Sequence, residues 1–340
     1  MSFNGFSLHG KPGGLPELLY SGPPQLSKIH TLRVSVTERC NFRCQYCMPA
    51  SGVQCTPHKE LLTFEQLFEN VEWIAKRTAI EHIRLTGGEP LVREGIHHMI
   101  AMLSSLPHSP EITMTTNGTL LARQVWALKA AGLRRVNVSL DTLNPMRFSH
   151  LTRGGRLENT VAGIDAALKA GLTPLKLNAV LLASSWQEDV PQLIQFAADR
   201  GVEVRFIELM RTGTEYEWCA SEQVTVETVQ DWLSGHAQFR CLTSSKSSPE
   251  ARTLVNWKGR DVSVGWISPR SHPFCAFCDR LRIDARGQLR RCLMDGATLN
   301  LPMARSGGDL HAHNAFCKYL TGKHPPGAME MEQSMCQIGG

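Results

Sequence analysis

From residue 32 onward the chain repeats one rhythm of apolar and polar positions. Residues 32–37 alternate with the two-residue period of a strand whose faces differ in polarity. Thr63 then stands as an N-cap before a stretch to about Arg77, in which Phe64, Leu67, Val71 and Ile74 form an apolar stripe at helical spacing. The same unit recurs, with strands predicted at 82–85, 111–115, 135–140, 173–182 and 202–208. Between them, helices are predicted from Glu94 and over 121–131, 158–170 and 189–200. Gly132, Gly171 and Gly201 stand where the last three would end, a position that favours glycine because the backbone turns left-handed there.

Six strands alternating with helices predict a parallel sheet with right-handed crossovers. An open doubly wound sheet and a partial barrel both satisfy that pattern. The polar and glycine-rich segments (40–47, 86–90, 115–118, 139–141 and 208–210) follow the carboxyl ends of several strands, not one switch point. That placement favours an α/β fold of the partial (β/α)6 TIM type, whose loops at that end build the site. The expected organisation is a mobile leader over 1–30, a barrel core over 31–215 and a C-terminal region over 216–340, whose last 35 residues have weak periodicity.

Composition narrows the function. A chain of 340 residues can bury a large core. No apolar run approaches the about 20 residues of a membrane span. The first 14 residues have no apolar signal region and only Lys11 as a cation, so a cytoplasmic location is expected. Eleven cysteines, an odd number in such a chain, argue against a disulfide framework and for metal or redox chemistry. The net charge of +5 suits an anionic ligand without choosing between a nucleotide and a nucleic acid.

Two groups of cysteines carry the chemistry. Cys40, Cys44 and Cys47 share one loop as C-x3-C-x2-C. Three thiolates leave one iron of a cubane cluster open, but zinc with a remote fourth ligand fits the spacing too. Cys275, Cys278 and Cys292 read C-x2-C-x13-C, and His272 or Cys317 could complete a zinc ribbon there. Arg280 and Arg282 lie between those cysteines, with Arg286, Arg290 and Arg291 nearby. They read as planar forks for phosphate or as a solvated basic face, and the absence of interleaved aromatics disfavours nucleic acid. Arg33, Arg84, Lys176 and Arg205 sit inside apolar strands, where a charge is costly unless paired. They could converge on one triphosphate, or form salt bridges with Asp141 or Glu208.

Residues 39–49 strongly resemble the signature of radical S-adenosylmethionine (SAM) enzymes, and residues 87–90 match that family's segment for the SAM amino group. Residues 274–283 with Cys292 and Leu293, and the ending at 335–340, resemble the GTP 3′,8-cyclase (MoaA) family of molybdenum cofactor biosynthesis. The resemblance implies two [4Fe–4S] clusters. One, on Cys40, Cys44 and Cys47, would bind SAM through its open iron. The other, on Cys275, Cys278 and Cys292, would bind the guanine of GTP. A 5′-deoxyadenosyl radical would then remove the ribose 3′ hydrogen, and the carbon radical would attack C8 of the base. Tyr46, Gly87, Gly88, Glu89, Ser139 and Met210 fall at SAM positions. Arg33, Arg84, Thr115, Lys176, Arg205, Arg280, Leu281 and Arg282 fall at GTP positions. Arg280, Arg282, Gly339 and Gly340 take catalytic places, the glycine tail entering the site.

The implied partners are GTP, a reducing electron donor and a cyclic pyranopterin monophosphate synthase that receives the product, with no nucleic acid and no membrane; there is room for a homodimer. Two positions depart from the family pattern. His82 stands where lysine is usual, and Asp279 where asparagine is usual, which puts affinity in doubt more than chemistry. The competing readings are a radical SAM enzyme with an auxiliary cluster that acts on a peptide, and a zinc-bearing nucleic-acid binder.

Overall fold

The computed structural model describes residues 26–210, 216–242, 250–294, 296–321 and 323. Its core is the expected six-fold repeat. In chain order it runs β1 (Thr31–Ser35), α1 (Phe64–Ala75), β2 (His82–Thr86), α2 (Ile96–Ser104), β3 (Glu111–Thr116), α3 (Leu121–Ala130), β4 (Arg135–Ser139), α4 (Pro145–Thr152), α5 (Leu157–Lys169), β5 (Lys176–Leu181), α6 (Trp186–Arg200) and β6 (Glu203–Glu208). Thr63 caps α1 through a reciprocal box: its hydroxyl accepts from the Gln66 N–H at 3.2 Å, and the Gln66 side chain accepts from the Thr63 N–H at 3.0 Å. The helix α4 was not expected, although Asn144 followed by Pro145 is a start signal: the Asn144 side chain accepts from the N–H groups of Met146 and Arg147.

Strands β1 to β6 pair in sequence, all parallel. Alternation then sorts their side chains. Leu32, Val34, Ile83, Leu85, Ile112, Met114, Val136, Val138, Leu177 and Phe206 are buried in the main core. The intervening residues (Arg33, Arg84, Thr113, Asn137, Asn178 and Arg205) point to the opposite face, the inside of the barrel. Ordinary barrels pack this interior with branched apolar side chains. Here it is polar.

The C-terminal region continues through α7 (Tyr216–Ser221), α8 (Val226–Ser234), β7 (Gln238–Leu242), β8 (Ala251–Trp257), β9 (Arg260–Ile267), β10 (Arg280–Ile283), β11 (Gln288–Arg290), β12 (Leu299–Asn300), α9 (Leu301–Ser306) and α10 (Asp309–Leu320). Its strands extend the same sheet at both ends. β9 runs parallel to β6, and β10 runs parallel to β1, with Thr31 opposite Arg280 and Arg33 opposite Arg282. The sheet order is β12-β11-β10-β1-β2-β3-β4-β5-β6-β9-β8-β7.

Two stretches carry structure that their sequence pattern did not announce. The end of the predicted mobile leader is folded: Leu26 and Ile29 are buried, and the His30 and Thr31 N–H groups both donate to the Asp279 carbonyl. The weakly periodic C-terminal stretch holds α10, whose Ala312, Phe316 and Leu320 are buried one turn apart. Three apolar positions in a polar helix gave little periodic signal, and their burial comes from packing across the chain, with Phe316 edge-on to Trp73 at 5.5 Å. No helix among the described residues is long and apolar enough to cross a membrane.

Candidate functional site

The loops after β1 and β2 lock together. The Gly88 N–H donates to Thr37 O at 2.7 Å and the Glu89 N–H to Arg39 O at 2.8 Å. A Cβ on Gly88 would stand 2.3 Å from Arg39 O, and one on Gly87 2.5 Å from Thr37 O. Both positions therefore require glycine for close backbone approach. Glu89 is buried, and both its oxygens are engaged. Oε1 accepts from Thr116 Oγ1 at 2.7 Å and Leu91 N–H at 3.0 Å, and Oε2 accepts from Asn117 N–H at 2.7 Å. Burial outweighs these bonds and pushes its carboxyl up to about 7. Glu89, expected at SAM, thus has its side chain occupied in tying β2 to the exit of β3. The segment offers a ligand backbone groups.

The cysteine loop rests on this clasp. Cys40 and Cys44 pack against the core, and burial first, then Asp141 and Cys40, push the Cys44 thiol up. Tyr46 donates its hydroxyl to Asp141 Oδ2 at 2.6 Å, and Asp141 Oδ1 accepts from the Val180 N–H at 2.8 Å. Burial raises Asp141 to about 6. Ser139, Thr115 and Met210 are half-buried at or just past the ends of β4, β3 and β6. The SAM positions drawn from sequence therefore gather at one end of the barrel, and Thr115, expected at GTP, lies at that end with them.

The second cysteine group lies at the other end. Cys275 and Cys278 precede β10, whose first residue is level with the start of β1. The β10–β11 hairpin pairs Arg282 with Arg290 and so brings Cys292 back beside Cys278. Burial raises the Cys275 thiol, and Cys292 and Cys278 raise it further. Three thiols thus face one another across a hairpin. Among the described residues no group of three or more His, Cys, Asp or Glu side chains is disposed to hold a single metal ion.

The four strand cations divide into two sets. Lys176 is paired with Glu203 at 2.7 Å, and Arg205 with Glu250 at 2.8 Å. The competing salt-bridge expectation therefore holds for these two, with other partners than Asp141 or Glu208. Arg33 and Arg84 instead join Arg280, Arg282 and Arg290 in a like-charged row across β2, β1, β10 and β11. Burial lowers the Arg33 guanidinium well below its ordinary value, and Arg282, Arg84 and Arg280 lower it further. Burial likewise brings Arg84 to about 9 and Arg282 to about 10. Arg33 Nε, Arg280 Nη2 and Arg290 Nε and Nη1 are buried without a hydrogen-bond partner among the described residues. Such a row is costly unless an anion completes it.

His82, expected as a weak cation at the site, is 3.2 Å from Glu111. Asp279 stands 4.0 Å from Arg280 Nε. Leu281 is fully buried on the core side, so only its backbone can face a ligand. Gly339 and Gly340 lie outside the described residues.

Residues 34–197 match the radical SAM superfamily, and residues 202–322 match the molybdenum cofactor synthesis C family. A GTP 3′,8-cyclase of Pelotomaculum thermopropionicum is 42% identical over 285 residues, covering 83% of this chain and 87% of that one. One of Heliobacterium modesticaldum is 39% identical over 323 residues, covering 92% and 98%. This chain belongs to the GTP 3′,8-cyclase family. Among solved structures, Streptococcus suis SuiB bound to S-adenosylmethionine shares the fold with a TM-score of 0.56 at 15% identity. The match covers 80% of this chain and 63% of that one, so this chain spans less than two thirds of SuiB.

Membership of the radical SAM superfamily implies a [4Fe–4S] cluster and SAM, and three soft sulfur donors on one loop, Cys40, Cys44 and Cys47, with no disulfide among them, fit that group. The family positions leave several inner-face residues unmentioned. Asn137 Nδ2 and Asn178 Oδ1 are buried without a hydrogen-bond partner among the described residues. Their signal was the alternation that picked out the arginines. Glu250 and Lys323 had no such signal, because their partners are far away in sequence.

Proposed function

We propose that this chain is a GTP 3′,8-cyclase, converting GTP to (8S)-3′,8-cyclo-7,8-dihydroguanosine 5′-triphosphate at the first step of molybdenum cofactor biosynthesis. The observation that carries this reading is the polar bore, with a three-cysteine group at each end and a row of buried, like-charged arginines beside the second group. When bound, a cluster and SAM at Cys40, Cys44 and Cys47 supply one-electron cleavage and hydrogen abstraction, and a second [4Fe–4S] cluster on Cys275, Cys278 and Cys292 supplies an open iron for the guanine base.

The chain's own residues do the rest. Arg33, Arg84, Arg280 and Arg282 bind the triphosphate, which relieves their mutual repulsion and burial. Lys176 and Arg205, held by Glu203 and Glu250, form the far wall. A strand of five residues such as β1 is ~16 Å long, enough to set base and triphosphate along one axis. The Tyr46–Asp141 bond and the clasp at Gly87 and Gly88 hold the first loop in place. The expected role of Gly339 and Gly340, which lie outside the described residues, is to enter this space, where glycine backbone fits closely. An external one-electron reductant, a synthase that takes the product, and a cytoplasmic setting complete the reading.

The test is to reconstitute the chain anaerobically, reduce it, and supply SAM and GTP. A cyclised GTP product is expected. Cleavage of SAM with no loss of GTP overturns the substrate assignment.

A further inference from the structure

The two cysteine groups sit in opposite electrostatic surroundings. At the first, the charge that acts most on the Cys44 thiol is the Asp141 carboxyl, itself fixed by Tyr46 at 2.6 Å from within the cysteine loop. At the second, a cation stands against a cysteine sulfur. Lys323, just beyond α10, is largely buried, with Nζ 3.8 Å from Cys278 Sγ, 2.7 Å from Arg280 O and 2.8 Å from Arg291 O. Its three donors therefore have three acceptors, and none is left for water. Those acceptors come from the loop before β10, from β10 itself, and from the loop after β11. The ammonium pins the hairpin that carries Cys278 and Cys292 and puts its charge against their sulfurs. Cys278 and Cys292 in turn act on Lys323, holding against the effect of burial on it.

We propose that Lys323 is a positioning residue of the second cysteine site, and that its charge and its N–H···S contact to Cys278 set the reduction potential of the cluster there above that of the first. This rests on the reading that Cys275, Cys278 and Cys292 hold a [4Fe–4S] cluster. Hydrogen bonds to ligand sulfurs and nearby positive charge favour the reduced, more negative state of such a cluster, whereas a nearby carboxylate disfavours it. The consequence is a division of labour. The first site is the stronger reductant and the second accepts an electron more readily, so the charge gradient along the bore points electrons toward the substrate end.

The test uses the full chain, reconstituted anaerobically, with iron and sulfide counted and both potentials followed by electron paramagnetic resonance during a redox titration. A triple variant, Cys275→Ser, Cys278→Ser and Cys292→Ser, identifies which signal belongs to the second site. Lys323→Met and Lys323→Gln are each expected to keep the second signal but move its midpoint to more negative potential, leaving the first unmoved. Lys323→Arg is expected to restore it. If Lys323→Gln holds its iron with the wild-type midpoint, Lys323 is a mechanical peg and the proposal fails. It also fails if the wild-type second site titrates below the first. If the triple variant binds as much iron as wild type, the second-cluster reading is wrong and the proposal falls with it.

Discussion

Arg33 on β1 lies directly opposite Arg282 on β10, two guanidinium groups side by side in parallel strands from distant parts of the chain. Neither folding nor packing gains from this pair. Burial and the neighbouring cations lower Arg33, and its Nε has no partner among the described residues. The arrangement stabilises only a state with an anion present. Arg33→Met is therefore expected to raise the stability of the ligand-free chain by about 1 kcal/mol, while weakening GTP binding at least tenfold. Denaturant unfolding and calorimetric titration of GTP check the two halves, and a destabilised variant that binds GTP normally would contradict them.

Arg205 should behave in the opposite way. It is paired with Glu250, which is itself buried and also held by Arg252 at 2.6 Å. Glu250→Gln leaves a buried guanidinium without its counter-ion and is expected to cost about 3 kcal/mol. Arg205→Met should cost a similar amount, and the double variant less than the sum. A double-mutant cycle by urea unfolding measures this coupling. Additive losses would show that the pair is not an energetic unit.

Gly88→Ala forces a Cβ to 2.3 Å from the Arg39 carbonyl, inside van der Waals contact. The loops after β1 and β2 must then separate. Loss of SAM cleavage by at least a hundredfold is expected, with destabilisation of about 2 kcal/mol. Product analysis of SAM turnover in the reduced enzyme reads the effect directly.

Glu89 gives a pH dependence. Its carboxyl is raised from 4.5 to about 7 in the folded chain, so the fold holds a proton that the unfolded chain releases. This favourable contribution is fully present below pH 4.5 and is lost as pH rises through about 7. Glu89→Gln removes the titration. The difference in unfolding free energy between wild type and Glu89→Gln should fall by on the order of 2–3 kcal/mol between pH 5 and 8. A flat difference would show that the carboxyl ionises normally.

Cys278→Ser should retain part of the SAM cleavage and lose cyclisation, because one cysteine group follows the end of β1 and the other precedes the start of the neighbouring strand β10. Equal loss of SAM cleavage in Cys278→Ser and Cys44→Ser would contradict separate roles.

Much of this was written locally. Alternation in β1 to β6 fixed which residues face the helices and which face the bore, because a two-residue period needs no tertiary information. Thr63, Gly132 and Gly201 marked helix ends for the same reason, and the cysteine spacings singled out two groups of three thiols. What the sequence could not determine is which of these local features meet. Cys275, Cys278 and Cys292 stand opposite the first cysteine loop because β10 pairs with β1 in one register, Thr31 beside Arg280. Arg33 stands among like charges while Arg205 is paired, because β10 delivers arginines to one edge of the barrel and the segment entering β8 delivers Glu250 to the other. Lys323 reaches Cys278 only because α10 ends there. Pairings between residues so far apart depend on strand order and burial. Those are properties of the folded sheet, and only the tertiary structure decides them.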